Sequence, residues 1–144
     1  MLDIETVHHV AVPVSDLARA KHFYGNVLGL QEIPRPAFPF AGAWYRAGDR
    51  DVHLIVAADP TFREGKGVNS QDGHLAIRVR NFAQAVEHLT RQGYRPDHDD
   101  PAREMRLRIN GPTGFPQMYI LDPDRNVIEI NAEAIEINAE TVEP

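Results

Sequence analysis

With 144 residues, 42% of them hydrophobic and 25% charged, the chain has the size and composition of one compact soluble domain. A formal charge of −6 offers no concentration of Lys and Arg for a polyanion, so nucleic acid is excluded as the expected partner. There are no cysteines, which excludes disulfides, thiolate ligands and thiol nucleophiles and leaves nitrogen and oxygen to hold any metal. No basic leader opens the sequence and no apolar run approaches the roughly 18 residues of a membrane span, so a cytoplasmic protein without membrane contact is expected.

Val10, Val12 and Val14 alternate with His9, Ala11 and Pro13, the two-residue period of a strand with His9 on the face opposite the valines. Ser15 or Asp16 caps a helix carrying Leu17, Ala20, Tyr24, Val27 and Leu28 at helical spacing, with Gly29 as its stop. The segment from Pro34 to Phe40 holds three prolines, lacks ladder donors and predicts a loop or broken edge strand with exposed aromatics. Ala43 to Arg46 and Val52 to Val56 predict a hairpin around the turn from Gly48 to Asp51, with His53 and Ile55 on one face. Residues 58–73 read as a polar connector.

The plan then repeats. His74 to Val79 predicts a strand, Asn81 caps a helix with Phe82, Ala85, Val86 and Leu89, and Gly93 stops it. Strands are expected at Arg103 to Ile109, Gln117 to Leu121 and Val127 to Asn131, the last entered through the turn from Asp122 to Asn126. The nine residues from His9 to Leu17 recur 65 positions later from His74 to Phe82, with His, Ala and Val identical. The chain is thus expected to be α+β, two β-α-β-β-β modules forming a curved mixed sheet around a central cavity. Module one covers about 5–57, a connector 58–72, module two about 73–131 and a tail 132–144. In that tail Ile128-Glu129-Ile130-Asn131-Ala132-Glu133 recurs from Ile135, so Glu136 imitates Glu129. Only Glu129 directly follows the Asp122 turn.

His9 and His74 open the first strands of the two halves, while His53 and Glu129 interrupt the apolar last strands. If a pseudo-twofold axis relates the halves, these four side chains converge, and three imidazoles with a carboxylate suit Zn, Fe, Mn, Ni or Co as divalent ions. His8, His22, His88 and His98 read as structural or solvated.

The pattern His9-Val10-Ala11 through Asp16-Leu17, Phe23-Tyr24 and Leu28-Gly29, then Gly73-His74-Leu75-Ala76, then Asp122 to Glu129, resembles the vicinal oxygen chelate superfamily over roughly residues 7–131. That superfamily includes glyoxalase I, methylmalonyl-CoA epimerase, extradiol dioxygenases and the fosfomycin and bleomycin resistance proteins. The resemblance implies a metal held by His9, His53, His74 and Glu129, commonly in a homodimer, with substrate chelated through vicinal oxygens. His9, His74 and Glu129 alone match the two-histidine, one-carboxylate set of the oxygen-activating and resistance branches. Adding His53 resembles the four-ligand isomerase branch, although glyoxalase I usually has a carboxylate or glutamine there.

The expected function is therefore a metal-dependent, glyoxalase-like lyase or isomerase working on a small oxygenated substrate through an enolate-like intermediate, with Glu129 or His53 as base. The alternatives are an Fe(II) extradiol-type dioxygenase and a metal-free, resistance-type ligand-binding protein. Arg78 shares strand parity with His74 and is a candidate grip for an anionic substrate. Trp44, Phe115, Tyr119 and Arg106 are further candidate lining residues, weighed against core packing for the aromatics and a solvated face for Arg106 and Arg108.

Overall fold

The computed structural model describes residues 1–57, 59 and 63–135. Two compact units emerge, one of Met1–Lys66 with Asp122–Asn126, the other of Gly67–Leu121 with the chain from Val127 on. Among the described residues, no helix is long and apolar enough to cross a membrane.

The first unit holds β1 (His9–Val14), α1 (Leu17–Lys21), β2 (Gln31–Ile33), β3 (Gly42–Ala47) and β4 (Arg50–Val56). Its mixed sheet runs β1-β4-β3-β2, with β1 and β4 parallel and the other pairs antiparallel. The second unit holds β5 (His74–Arg78), α2 (Phe82–Arg91), β6 (Arg106–Arg108), β7 (Gln117–Leu121) and β8 (Val127–Asn131). Its sheet repeats the same plan in the order β5-β8-β7-β6, again with one parallel pair, β5 with β8. Both units are therefore β-α-β-β-β modules, as the repeated nine residues predict.

Matching caps start the two helices. Asp16 accepts the Arg19 amide at 2.9 Å and Asn81 accepts the Gln84 amide at 2.8 Å. Gly29 and Gly93, with φ of +74° and +93°, lie beyond the helical segments in a backbone region that costs a residue with a side chain about 1–2 kcal/mol.

Two local expectations need correction. The first helix is not α throughout: after Lys21 it continues as a π-helix over His22–Val27, with Leu28 N–H reaching Phe23 C=O at 2.8 Å. The wider turn shifts the phase by about one residue, so adjacent Phe23 and Tyr24 are both buried while Leu28 is only half-buried. Pro34 to Phe40 is loop with exposed aromatics, as expected, and an edge strand lies ahead of its prolines at Gln31–Ile33. The predicted strand from Arg103 shrinks to Arg106–Arg108 because Pro101–Arg103 forms a 3-10 turn capped by Asp100. The second Ile-Glu-Ile-Asn-Ala-Glu copy, from Glu136 on, lies outside the described residues.

In the first unit the turn from Asp122 to Asn126 closes against β1 and the helix. The Asp122 side chain, 2% exposed, accepts four hydrogen bonds: Tyr24 Oη at 2.8 Å, Asn126 Nδ2 at 2.9 Å, and the Asp124 and Asn126 amides at 2.8 Å each. Ser15 donates its amide and hydroxyl to Asp124, and Asn126 Nδ2 also donates to Pro13 C=O at 3.1 Å.

Candidate functional site

The register puts the predicted residues in equivalent places. In the first unit Ala11 pairs with His53 across the parallel strands and His53 pairs with Trp44 across the antiparallel ones. In the second, Ala76 pairs with Glu129 and Glu129 with Tyr119. His9 and His74 each stand two residues before the paired alanine, on the same strand face. A small side chain beside His53 or Glu129, with an aromatic on its other flank, is thus common to both halves.

Glu129 is 5% exposed and held from three sides. Its Oε1 accepts Gln117 Nε2 at 3.0 Å and Asn131 Nδ2 at 2.8 Å; its Oε2 lies 3.0 Å from His74 Nε2. Each amide is itself oriented: Arg78 Nε donates to Asn131 Oδ1 at 2.9 Å, and Thr113 Oγ1 donates to Gln117 Oε1 at 3.2 Å. Each acceptor end is taken, so both NH2 groups turn to the carboxylate. Burial pushes the Glu129 carboxyl up, but the bonds from Gln117, Asn131 and Tyr119 and the nearby His74 outweigh it and hold Glu129 below the usual range. It stays an anion with one committed oxygen and one directed at His74.

His74 Nδ1 lies 2.7 Å from Asp72 C=O, an acceptor, so Nδ1 carries the hydrogen. Nε2 then presents either a second proton or a lone pair to the Glu129 oxygen. A lone pair beside an anionic oxygen is repulsive unless a cation is shared between them, so the pair is suited to sharing a proton or another cation. Tyr119, buried in the same row, has its ring edge-on to His74 at 5.7 Å. Burial and the charge of Glu129 raise its phenol above the ordinary value, keeping it neutral.

In the first unit His53 is stacked between His9, at 4.1 Å and 18°, and Trp44, at 4.0 Å and 4°. Its Nε2 is buried with no hydrogen-bond partner. The register explains the orphan: the places that Gln117 and Asn131 fill beside Glu129 are taken here by Gly42 and Ile55, which have no side-chain donors. Burial, then the neighbouring His9, push the His53 imidazole below its ordinary value, with His8 and Arg35 adding to the effect and Asp51 opposing it. The folded chain therefore binds this proton less readily than the unfolded chain. The neutral ring's contribution to stability is expected to be complete above about pH 6.5 and lost as pH falls through the folded value. A proton NMR titration should show a histidine ring titrating below the ordinary imidazole value, and that signal should vanish in His53→Ala.

The donor set fits a divalent cation in kind, for it comprises imidazole nitrogens, one of them with no partner, and an ionised carboxylate oxygen. In neither unit do the described residues gather three His, Asp or Glu side chains as a metal-holding group; each unit brings together two of the four predicted residues, and in the first His8 Nδ1 also lies 2.9 Å from His9 Nδ1.

Arg78, the candidate substrate grip, donates Nε to Asn131 and lies over the Phe115 ring, 4.9 Å away. Arg106 is exposed and paired with Glu104 at 3.0 Å, in keeping with a solvated face. His8 stands exposed against His9. Sequence reasoning missed Gln117, Asn131 and Thr113, although the two amides share the parity of Tyr119 and Glu129 in adjacent strands.

Residues 6–130 match the sequence profile of the Glyoxalase/Bleomycin resistance protein/Dioxygenase superfamily. A lactoylglutathione lyase of Salmonella typhimurium is 28% identical, over 85% of this chain and 88% of that protein. The crystal structure of a glyoxalase family protein from Bacillus anthracis superimposes with a TM-score of 0.72 at 24% identity, covering 92% of this chain and 98% of that one. TnmS3, an antibiotic binding protein from a Streptomyces species, gives 0.67 at 23% identity, covering 92% and 98%. At these identities the two structures bear on the fold alone.

Proposed function

As the chain belongs to the Glyoxalase/Bleomycin resistance protein/Dioxygenase superfamily, we propose that it is a metal-dependent, glyoxalase-like lyase or isomerase. It acts on a small oxygenated molecule, by proton transfer beside a carbonyl through an enolate-like intermediate. The observation that carries this reading is the His74–Glu129 pair, with Nδ1 and Oε1 committed elsewhere and Nε2 and Oε2 left facing each other at 3.0 Å. His9, His74 and Glu129 are the proposed holders of the metal, and His53 is the fourth. A bound divalent cation would supply Lewis-acid stabilisation of oxyanion charge on the substrate's vicinal oxygens.

Two carboxyl and imidazole candidates for the base are separated by their surroundings. Glu129 is held ionised below its usual range and is the weaker base. His53 is neutral, with Nε2 unpartnered, and would take the substrate proton there when it is not holding the ion. The working form is taken to be a homodimer, in keeping with the exposure of His9, Ala11, His74 and Ala76 in a single chain.

Elemental analysis after purification and after reconstitution should find one divalent ion per chain, and the loaded protein should exchange deuterium beside the carbonyl of 2-oxo compounds or hemithioacetals. A chain that neither retains nor takes up such an ion would sink the proposal. Loaded protein that consumes oxygen with catechols would move it to the dioxygenase class. A metal-free binding role is favoured by one observation, the exposed rings of Phe38 and Phe40. Ligand binding by protein that takes up no metal would establish it.

A further inference from the structure

The loop between β2 and β3 carries a group that the proposed metal ligands leave unexplained. Phe38 and Phe40 are 42% and 44% exposed, and their rings stack at 5.1 Å with 22° between planes. The Arg35 guanidinium lies over both, 4.8 Å and 5.1 Å from their centroids, and donates to Phe40 C=O at 2.9 Å. Phe38 is 6.1 Å from Trp44, which stacks on His53, which stacks on His9. An aromatic series therefore runs from an exposed edge to two of the proposed metal ligands.

The shelf has a seat built for the cation. A Cβ at Gly42 would lie 3.2 Å from Arg35 Nε and Nη2 and would collide with Leu54 C=O, so the absence of a side chain there makes room for the guanidinium. Arg35 is only half-buried, and among the described residues no carboxylate is paired with it. A guanidinium has five N–H donors, and the one bond to Phe40 leaves most of them open.

We propose that Arg35, Phe38, Phe40 and Trp44 form the subsite for a planar aromatic acid, an arene bearing a carboxylate. The rings supply a stacking surface for the arene. The guanidinium supplies the donors for a carboxylate and a charge that disfavours cationic ligands. Because the chain as a whole carries −6, anions are not drawn to it generally, and this local cation selects them. The subsite names the substrate class for the metal-dependent reaction proposed above. It rests on that reading only for what happens to the acid's other substituents, which the series directs toward His53 and His9.

Trp44 is the sole tryptophan, so its emission, excited at wavelengths where benzoate is transparent, reads the shelf directly. The full chain, stripped with a chelator, is titrated with benzoate and phenylglyoxylate, and with benzyl alcohol and pyruvate as neutral and non-aromatic comparators. Saturable changes are expected with both aromatic acids, and binding about tenfold or more weaker with both comparators. Arg35→Met should weaken benzoate about tenfold and leave benzyl alcohol unchanged, Arg35→Lys should recover part of the loss, and Phe38→Ala should weaken both arenes. Thermal melting confirms that each variant is folded. Equal affinity for benzoate and the comparators, or an Arg35→Met protein that binds benzoate as the parent does, overturns the proposal. Protein that takes up a divalent ion but ignores aromatic acids removes the subsite alone. Protein that binds them yet takes up no ion removes the metal reading and keeps the subsite.

Discussion

Alanine at Asp122 is expected to lower the melting temperature by about 10 °C, corresponding to about 3 kcal/mol or more. The carboxylate is almost fully buried, accepts the Tyr24 hydroxyl and is the side-chain anchor of its own turn. Removing it takes the acceptor from the phenol and from two backbone N–H groups and leaves Asn126 Nδ2 with Pro13 C=O alone. Burial pushes the Asp122 carboxyl up, and the bonds from Asn126, Tyr24 and Asp124 oppose that without cancelling it. Tyr24, raised well above its ordinary value by burial and then by Asp122, remains a phenol and a donor. Tyr24→Phe removes one of the four donors and should cost about 1 kcal/mol. Differential scanning calorimetry on the two variants decides the point: equal losses would mean that the tyrosine bond alone, not the closed turn, carries the stability.

That turn shows what can be read along a chain and what cannot. Asp122-Pro123-Asp124-Arg125-Asn126 is legible as a turn from its residue types, but its attachment to Tyr24, Ser15 and Pro13, about a hundred positions away, is a tertiary fact. The first strands were legible for the opposite reason. Alternation over His9 to Val14 and a capping side chain two residues beyond its end are local signals, and the copy from His74 repeats both. The π-helix was hidden because Leu17, Ala20, Tyr24 and Val27 also satisfy α spacing, and nothing local marks the inserted residue.

The polar residues beside Glu129 were hidden by register. Gln117 and Asn131 each look like an ordinary strand residue, and only pairing across β7 and β8 makes them neighbours. The same comparison explains why His53 and Glu129, equivalent in the duplication, differ in chemistry. Two amides replaced by Gly42 and Ile55 turn a fully satisfied anion into a neutral ring with a free nitrogen. The duplicated scaffold fixes where the two groups stand, while their neighbours fix which one binds charge and which one can accept a proton.

Glutamine at position 129 is expected to weaken divalent-metal binding about a hundredfold or more while leaving the fold intact. The existing hydrogen bonds determine how the new amide must lie. Gln117 Nε2 and Asn131 Nδ2 both donate to the Oε1 position, and both are fixed by Thr113 and Arg78, so that position must hold the amide oxygen. The new NH2 group then occupies the Oε2 position, 3.0 Å from His74 Nε2, where it donates to the imidazole lone pair. Every buried polar group keeps a partner, which is why melting should change little. The change at the metal is complete, because an anionic oxygen becomes a donor with no lone pair to share. Competition with a chromophoric chelator measures the affinity, and melting of the stripped protein measures the fold. Metal affinity that survives Glu129→Gln would remove Glu129 from the proposed ligand set.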